Sequence, residues 1–396
     1  MSDRRSDAGG RHAGPEAGAR REPGTRDGRR PAGDGRHVDP ALGTLSGEGS
    51  GQRVERRDEA YPTPAPGGGI PPGGWRPRRP AGAAGEDADD LPTYYDRPAI
   101  KEPVWIWSVP VYFVVGGAAG ACAALGAAAQ TAGGPALRPL VARCRRLAAA
   151  GGAVGSVLLV LDLGRPERFL NMLRVLRPTS PMSVGSWTLA AFSGAAAGAA
   201  LLARARGRAL RRAGDLLGAA AGLLGPPLAA YPAVLLANTA VPVWIETRRT
   251  LPALFVASGA STAASLLEAV PAPRPAERVL RPFGLAAKAA VVVAMAAAER
   301  DAGEVDRVGR ALSEGVPGDL WTAARWAALA GLGLSLLPPG GRAKRALGAA
   351  LGVAGALALR FAVVRAGHAS ARDPRATFAH QRRRRGAGET GSASPR

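Results

Sequence analysis

The chain has 396 residues, a formal net charge of +21 and a hydrophobic fraction of 46%. A length of this order is typical of roughly two or three soluble domains. From residue 103 onward, however, the charges lie in short clusters between long apolar blocks. The basic residues are not interleaved with aromatic residues, which argues against nucleic-acid binding and favours a role in membrane topology. We therefore expect the lipid bilayer, and no nucleic acid, as a partner.

Residues 1–100 form a tail rich in Gly, Pro, Arg and Asp, with 16 basic and 16 acidic residues. The tail has almost no aliphatic runs, so it cannot bury enough apolar surface to offset the entropy lost on ordering. We expect it to be disordered. We expect residues 101–370 to form one membrane domain and residues 371–396 to form a basic C-terminal tail.

Several apolar blocks are long enough to cross the hydrocarbon core, which takes about 20 apolar residues in a helix. The sequence therefore predicts an all-α, polytopic membrane bundle of about eight transmembrane helices. The proline residues of the fourth block, at 226, 227 and 232, predict a kink. The eight blocks are 104–130, 147–163, 182–203, 215–238, 250–270, 282–299, 319–337 and 345–366.

Glycine pairs with GxxxG spacing recur within these blocks. Small residues four apart let helix backbones approach closely in lipid. An Ala/Gly-rich sequence produces some such pairs by chance, but we expect most of them to mark helix contacts. The pairs are Gly116/Gly120, Gly151/Gly155, Gly194/Gly198, Gly218/Gly222 and Gly348/Gly352.

The loops differ in charge on the two sides of the predicted bundle. We call the side that holds the N-terminus side A and the opposite side B. The side-B loops, counted with Arg345, carry 15 basic residues and one acid, Glu277, whereas the side-A loops carry 9 basic residues and at least five acids. This difference predicts that side B is cytoplasmic and that both termini lie outside. The basic run from Arg382 to Arg385 favours the reverse orientation.

The cysteine and histidine content excludes two kinds of redox centre. Two cysteines, Cys122 and Cys144, are too few for an iron–sulfur cluster on this chain. None of the four histidines lies within an apolar block. A haem held between two intramembrane histidines is therefore excluded, and no metal site is predicted.

Ionisable residues at membrane depth are costly and are therefore candidates for function. The alternating topology places most of them on side A, together with aromatic residues. Such a group could bind an amphipathic ring with two carbonyls and exchange protons with it. The side-A candidates are Trp105, Trp107, Ser108, Tyr112, Asp162, Trp244, Glu246, Trp321, Arg325, Trp326 and Arg360, whereas Glu268 and Lys288 lie toward side B.

Each candidate also has an ordinary structural explanation. The tryptophans are typical of an interfacial aromatic belt, and the arginines can extend to the membrane surface. Asp162 can pair with Arg165, and Glu268 with Lys288 can form a structural ion pair. The predicted location of several of these candidate residues on one side of the membrane nevertheless favours a shared site.

The segment between the second and third blocks carries the most specific motif. It contains D-L-G-R-P-E-R at 162–168 and S-P-M-S-V-G-S-W at 180–187. These resemble the D-x-G-R-P-x-R…S-P-M-S-x-G-x-W signature of the NrfD/PsrC family, the membrane subunits of polysulfide-reductase-like molybdenum and iron–sulfur complexes. Residues 102–107, 237–244 and 370–378 also agree with that family. The resemblance extends over about residues 95–381.

The resemblance implies a subunit that exchanges electrons between a quinone, menaquinone or ubiquinone, and an iron–sulfur partner of the ferredoxin type. A molybdopterin catalytic subunit would complete the complex, in the bacterial cytoplasmic membrane. Asp162, Arg165 and Arg168 correspond to signature positions. Trp244 and the acidic Glu246 correspond to the later segment. Members of this family typically carry no haem.

Some family members use histidine or asparagine in the first span at the quinone. This chain has Trp107, Ser108 and Tyr112 there, which leaves the ligand set open. We expect the quinone to lie near side A among these residues, Asp162 and Arg325.

In this hypothesis Asp162 is the catalytic proton acceptor. Arg165 and Arg168 position the partner or keep the Asp162 carboxylate ionised. Glu268 and Lys288 would belong to a proton route across the bundle. Two alternatives are a secondary transporter that uses the same buried charges and a passive anchor without quinone chemistry.

Overall fold

The structure is a computed structural model that describes residues 100–379, except 104, 163–170, 172 and 339. It also describes two short strands, His37–Asp39 and Thr44–Ser46, which pair antiparallel. These strands belong to a separate unit that precedes the membrane domain in sequence. The remainder of the predicted disordered tail and the chain beyond residue 379 lie outside the described residues.

The described part of the membrane domain is helical throughout, which confirms the all-α prediction. A single turn of 3-10 helix, Pro135–Leu137, joins the first two helices. In chain order the helices are α1 Ser108–Ala132, α2 Arg138–Asp162, α3 Pro181–Leu202, α4 Arg208–Ala237, α5 Pro242–Glu246, α6 Leu251–Glu268, α7 Arg274–Gly303, α8 Asp306–Ser313, α9 Gly315–Leu336 and α10 Arg342–Arg372.

Seven of the described helices are long and apolar enough to cross a membrane: α1–α4, α6, α7 and α10. The remaining predicted span, the seventh block at 319–337, corresponds to α9. This helix has 22 residues, a length of about 33 Å, but Asp319 and Arg325 make it less apolar than the others.

A contact between the two ends of the domain indicates that α9 also crosses. Glu102, which precedes α1, forms an ion pair with Arg372, the last residue of α10, at 2.6 Å. Both residues therefore lie on the same side. A chain that begins and ends on one side crosses the membrane an even number of times. Seven crossings do not satisfy this condition, whereas eight crossings do.

The helices extend beyond the predicted spans, mostly at their basic ends. For example, α7 starts at Arg274 rather than near residue 282, and α10 starts at Arg342 and continues to Arg372. Apolar composition reports the part of a helix that lies in lipid. Backbone hydrogen bonds propagate further, because arginine and lysine are good helix formers. Helix α4 is continuous through its three prolines.

The long helices form two groups of four. Helices α1–α4 form the first group, in which α1 packs on α2 and α4, and α3 packs on α2 and α4. Helices α6, α7, α9 and α10 form the second group, and α1 and α4 contact α6 across the boundary. This arrangement puts α1 at the centre of the bundle, where most of its residues are buried.

Glycine contacts make these close approaches possible. A Cβ atom on Gly120 of α1 would clash with the backbone of Gly225 in α4, and one on Gly225 would clash with Gly120. A Cβ on Gly259 of α6 would lie 2.8 Å from the carbonyl of Gly117. Among the predicted GxxxG positions, Gly194 is an exception, since a Cβ there would meet nothing within 4 Å.

Candidate functional site

The first feature of side A is a contact between a serine and an aspartate. Ser108 is the first residue of α1 and is fully buried, and its Oγ donates to Oδ1 of Asp162 at 3.5 Å. Asp162 is the last residue of α2 and is half-buried. The structure thus brings together two of the predicted site residues, one from each helix. Trp107, immediately before Ser108, is 61% exposed.

A pair of tyrosines lies one helical turn deeper. The Tyr112 hydroxyl of α1 is hydrogen-bonded to the Tyr231 hydroxyl of α4, and Tyr112 is buried. Gly185 makes room for the Tyr231 ring, because a Cβ there would clash with it. A Cβ on Gly155 would be in ordinary contact with the Tyr112 ring, at 3.4 Å. Gly185 is the glycine of the S-P-M-S-x-G-x-W motif, so this motif position serves the tyrosine pair.

The serines of the same motif build the start of α3. Ser180 is the N-cap residue, and its Oγ accepts from the Ser183 backbone N–H at 3.4 Å, while Pro181 occupies the first turn. The Ser183 hydroxyl accepts from the Arg177 backbone N–H at 3.0 Å and donates to the Val175 carbonyl at 3.3 Å. These bonds attach the side-A loop to the helix. Arg165 and Arg168, which were predicted to position a partner, lie outside the described residues.

Trp244 is enclosed by protein and does not belong to an interfacial belt. Its ring stacks on Trp105, with centroids 5.4 Å apart and planes inclined by 20°. Its Nε1–H donates to the Val363 carbonyl at 2.9 Å, and Gly367 lies directly against the ring. Trp244 therefore ties the short helix α5 to α10. Glu246 is the last residue of α5 and is partly buried.

Arg360 is fully buried and does not extend to the membrane surface. Its guanidinium lies 3.7 Å from the centroid of the Phe255 ring, and Nη2 donates to the Phe255 carbonyl at 3.0 Å. Its Nε and Nη1 have no hydrogen-bond partner within the described part of the chain. Phe255 is followed by Phe113, 6.0 Å away, and by Tyr112, 5.8 Å from Phe113. Aromatic contacts thus connect Arg360 with the tyrosine pair.

Arg325 does not join Asp162 and Tyr112, which corrects the prediction of one pocket for all three. It forms an ion pair with Glu299 of α7, and the Trp321 Nε1–H donates to the same carboxylate. Helix α9 packs against α7, α8 and α10, whereas α2 packs against α1 and α3. Sequence reasoning placed these side chains at a similar depth, but depth does not specify which helices are neighbours.

Glu268 and Lys288 form a buried ion pair near side B. Lys288 Nζ lies 2.7 Å from Glu268 Oε2 and 2.9 Å from Ser335 Oγ. Lys288 is 3% exposed. A cavity of about 410 Å³ borders Glu268 on side B, and a cavity of about 20 Å³ borders Lys288 toward the centre. The smaller space is large enough for about one water molecule.

Sequence reasoning missed three polar side chains that form contacts at the side-A end of the bundle. Tyr231 and Glu299 were not singled out, although both fall at the side-A ends of predicted spans, which was the available signal. His368 was placed beyond the apolar blocks, but α10 includes it, and its Nδ1 lies 3.7 Å from Glu102. Among the described residues, no group of three or more His, Cys, Asp or Glu side chains could hold a metal ion.

Comparison with known proteins identifies one family. A family model described as NrfD_2, Polysulfide reductase, matches residues 92–372. The match includes α1 to α10 and the loop signature, and it confirms the resemblance drawn from residues 162–168 and 180–187. No curated protein matches the chain.

Proposed function

Because the chain belongs to the NrfD_2 polysulfide reductase family of oxidoreductase membrane subunits, we propose that it exchanges electrons between a quinone pool and an iron–sulfur partner. The observation that carries this proposal is the side-A polar cluster, which we define as Ser108, Tyr112, Asp162 and Tyr231. It combines one carboxylate with three hydroxyls from α1, α2 and α4. Asp162 is the first residue of the family signature, and Gly185 of the same signature lies against the Tyr231 ring.

The donor set of this cluster fits a ring with two carbonyl oxygens. A quinol supplies two electrons and two protons when it is oxidised. Within the tyrosine pair one hydroxyl donates to the other, and the second hydroxyl is free to donate a hydrogen bond to a ring oxygen. Asp162 can accept a proton, because its carboxylate is only half-buried at the end of α2. Ser108, by donating to Asp162 Oδ1, orients this carboxylate.

The electrons would pass on side A to a ferredoxin-like iron–sulfur subunit and from there to a molybdopterin subunit. Arg165 and Arg168 of the signature are proposed to dock this partner, since arginine forms bidentate bonds with carboxylates. The chain would operate in the bacterial cytoplasmic membrane. Trp244 and Glu246 belong to α5, which contacts α4, the helix that carries Tyr231.

The buried pair of Glu268 and Lys288 favours an additional proposal, a proton route from side B. Glu268 borders the larger cavity, and Lys288 connects it to Ser335 and to the small central cavity. Substitution Lys288→Met should lower the number of protons translocated per electron pair in proteoliposomes and leave quinol oxidation intact. An unchanged proton ratio would reject the route.

The decisive experiment for the quinone proposal replaces Asp162 with asparagine. We expect Asp162→Asn to reduce quinol-dependent electron transfer by about 100-fold or more, the usual contribution of a positioned proton acceptor. The rate should be measured as oxidation of decylubiquinol or menadiol by the complex purified in mild detergent. Size-exclusion chromatography would show that subunit assembly is intact.

Glu299→Gln is the matched control, because it removes a side-A carboxylate that pairs with Arg325 in the second helix group. This variant should retain quinol oxidation. If Asp162→Asn also retained the full rate, the proposed role of Asp162 would be rejected and a passive anchor would be favoured. Transport of a solute without quinone-dependent activity would support the transporter alternative.

A further inference from the structure

We propose that a cavity at the side-B end of the bundle binds the phosphate headgroup of an anionic membrane phospholipid. We call it the basic cavity. It measures about 410 Å³ and lies between the turn that joins α6 to α7 and the turn that joins α9 to α10. This cavity lies at the opposite end of the bundle from the side-A polar cluster and takes no part in the proposed quinone chemistry.

The walls of the basic cavity carry an excess of positive charge. Arg274, Arg278 and Arg281 line it from α7, and Lys344 and Arg345 line it from α10. The three arginines are spaced four and three residues apart, which places them on one face of the helix. Two carboxylates also border the cavity, but Glu268 is already paired with Lys288. The cavity thus has five cations and one carboxylate, that of Glu277, that forms no ion pair within the described residues.

The arginines among these cations have few partners of their own, whereas Lys344 Nζ donates to the Leu337 and Pro338 carbonyls. Within the residues that the structure describes, Arg274, Arg278 and Arg281 form no ion pair. Arg345 Nη1 donates to the Gly340 carbonyl at 2.9 Å, but its buried Nε has no hydrogen-bond partner in the described chain. A buried guanidinium N–H without an acceptor is costly. An oxygen-rich anion in the cavity would satisfy it.

Two helix N-termini add to the positive charge around the basic cavity. Helix α7 begins at Arg274 and α10 at Arg342, and neither N-cap residue provides a side-chain acceptor for the first-turn N–H groups. The partial positive charge at a helix N-terminus favours an anion. Both helices begin at the side-B turns that border the basic cavity.

The shape and lining of the cavity favour a lipid. Leu280, Leu334 and Leu337 provide apolar surface next to the cations. A phosphodiester with attached acyl chains matches such a combination, because basic pockets between transmembrane helices bind anionic headgroups while apolar walls accept the chains. Free phosphate shares the headgroup chemistry but leaves the apolar wall unused.

The test compares lipid binding by the full-length protein and a variant. The wild-type protein and the double substitution Arg278→Gln/Arg281→Gln would be purified in detergent and titrated with phosphatidylglycerol. Bound lipid would be counted by native mass spectrometry. Each basic residue near a headgroup contributes enough that loss of two should weaken binding by about 30-fold. Phosphatidylcholine, whose headgroup has no net charge, should bind the wild-type protein no better than it binds the variant.

The matched control is Arg211→Gln/Arg212→Gln. It removes two exposed arginines from the first turn of α4, at the same end of the bundle, and should bind phosphatidylglycerol like wild type. Equal binding to wild type and the Arg278/Arg281 variant would overturn the proposal. Displacement of the lipid by inorganic phosphate at an equal concentration would also overturn it and would assign the cavity to free phosphate.

Discussion

Two buried cations of this protein are stabilised in different ways. Lys288 has a carboxylate and a hydroxyl within hydrogen-bond distance, those of Glu268 and Ser335. Arg360 has instead a carbonyl oxygen and the face of an aromatic ring, both from Phe255. A planar guanidinium can use a ring face, whereas a compact ammonium depends on direct acceptors. Lys288 should therefore be more sensitive than Arg360 to loss of a single partner.

This difference leads to an asymmetric prediction for the ion pair of Glu268 and Lys288. Glu268→Ala leaves a buried ammonium without its counter-ion and should lower the free energy of unfolding by about 3 kcal/mol. Lys288→Met should cost clearly less, because Glu268 is 31% exposed and borders the basic cavity. Unfolding in detergent micelles by increasing dodecyl sulfate measures both. Equal losses in the free energy of unfolding for the two variants would show that only the attraction between the two charges contributes to stability.

At the scale of helices, small residues decide which backbones touch. Gly120 of α1 and Gly225 of α4 lie so close that neither position has room for a methyl group. In lipid, such contacts drive helix association, because burial of apolar side chains provides little advantage there. The central position of α1 therefore depends on a few glycines rather than on large side chains.

Alanine substitution tests this dependence. Gly120→Ala should lower the free energy of unfolding by about 2 kcal/mol, since the added methyl group pushes α1 away from α4. Gly194→Ala is the control, because a Cβ there meets no atom within 4 Å. It should be neutral or stabilising by up to about 1 kcal/mol, the helix preference of alanine over glycine. Thermal unfolding in micelles measures both, and similar values would contradict the close contact.

The positions of the helices along the chain could be predicted from the sequence much better than which helices pack against each other. Apolar blocks located each long helix, because partition into lipid depends on local composition. Ser108 and Asp162 were predicted to lie on the same side, and they meet because α1 and α2 are consecutive and antiparallel. Arg325 was predicted beside Asp162 but pairs with Glu299, because its helix belongs to the second group.

The tyrosine pair shows a second limit of sequence reasoning. Tyr112 and Tyr231 are 119 residues apart, and nothing in local composition relates them. They meet because α1 packs on α4, and because Gly185 leaves space for the Tyr231 ring. A motif glycine such as Gly185 can be recognised from the sequence, but the side chain that it accommodates requires the packed bundle.

At the scale of the whole molecule, the first and last segments of the membrane domain are joined by charge. Arg372 binds Glu102 through two bonds, of 2.9 Å from Nε and 2.6 Å from Nη2. His368 lies 3.7 Å from the same carboxylate. These contacts hold the segment before α1 against the end of α10.

Exchanging the charges of Glu102 and Arg372 tests whether their ion pair stabilises the membrane domain. Glu102→Arg should lower the free energy of unfolding by less than about 1 kcal/mol, because the pair is partly exposed and screened by solvent. Adding Arg372→Glu should restore most of the loss, since the opposite pair can form. A double-mutant cycle from thermal unfolding measures the coupling. Zero coupling between the two positions would show that the bridge makes no contribution to stability.

The bridge between Glu102 and Arg372 means that the polypeptide enters and leaves the membrane domain at one point. A short covalent link between these ends would close the eight long helices into a ring without changing any helix contact. New termini could then be opened in the exposed side-B turn at 203–207. Chains with their ends close together commonly tolerate such circular permutation. The order in which the helices are synthesised is therefore separable from the order in which they pack.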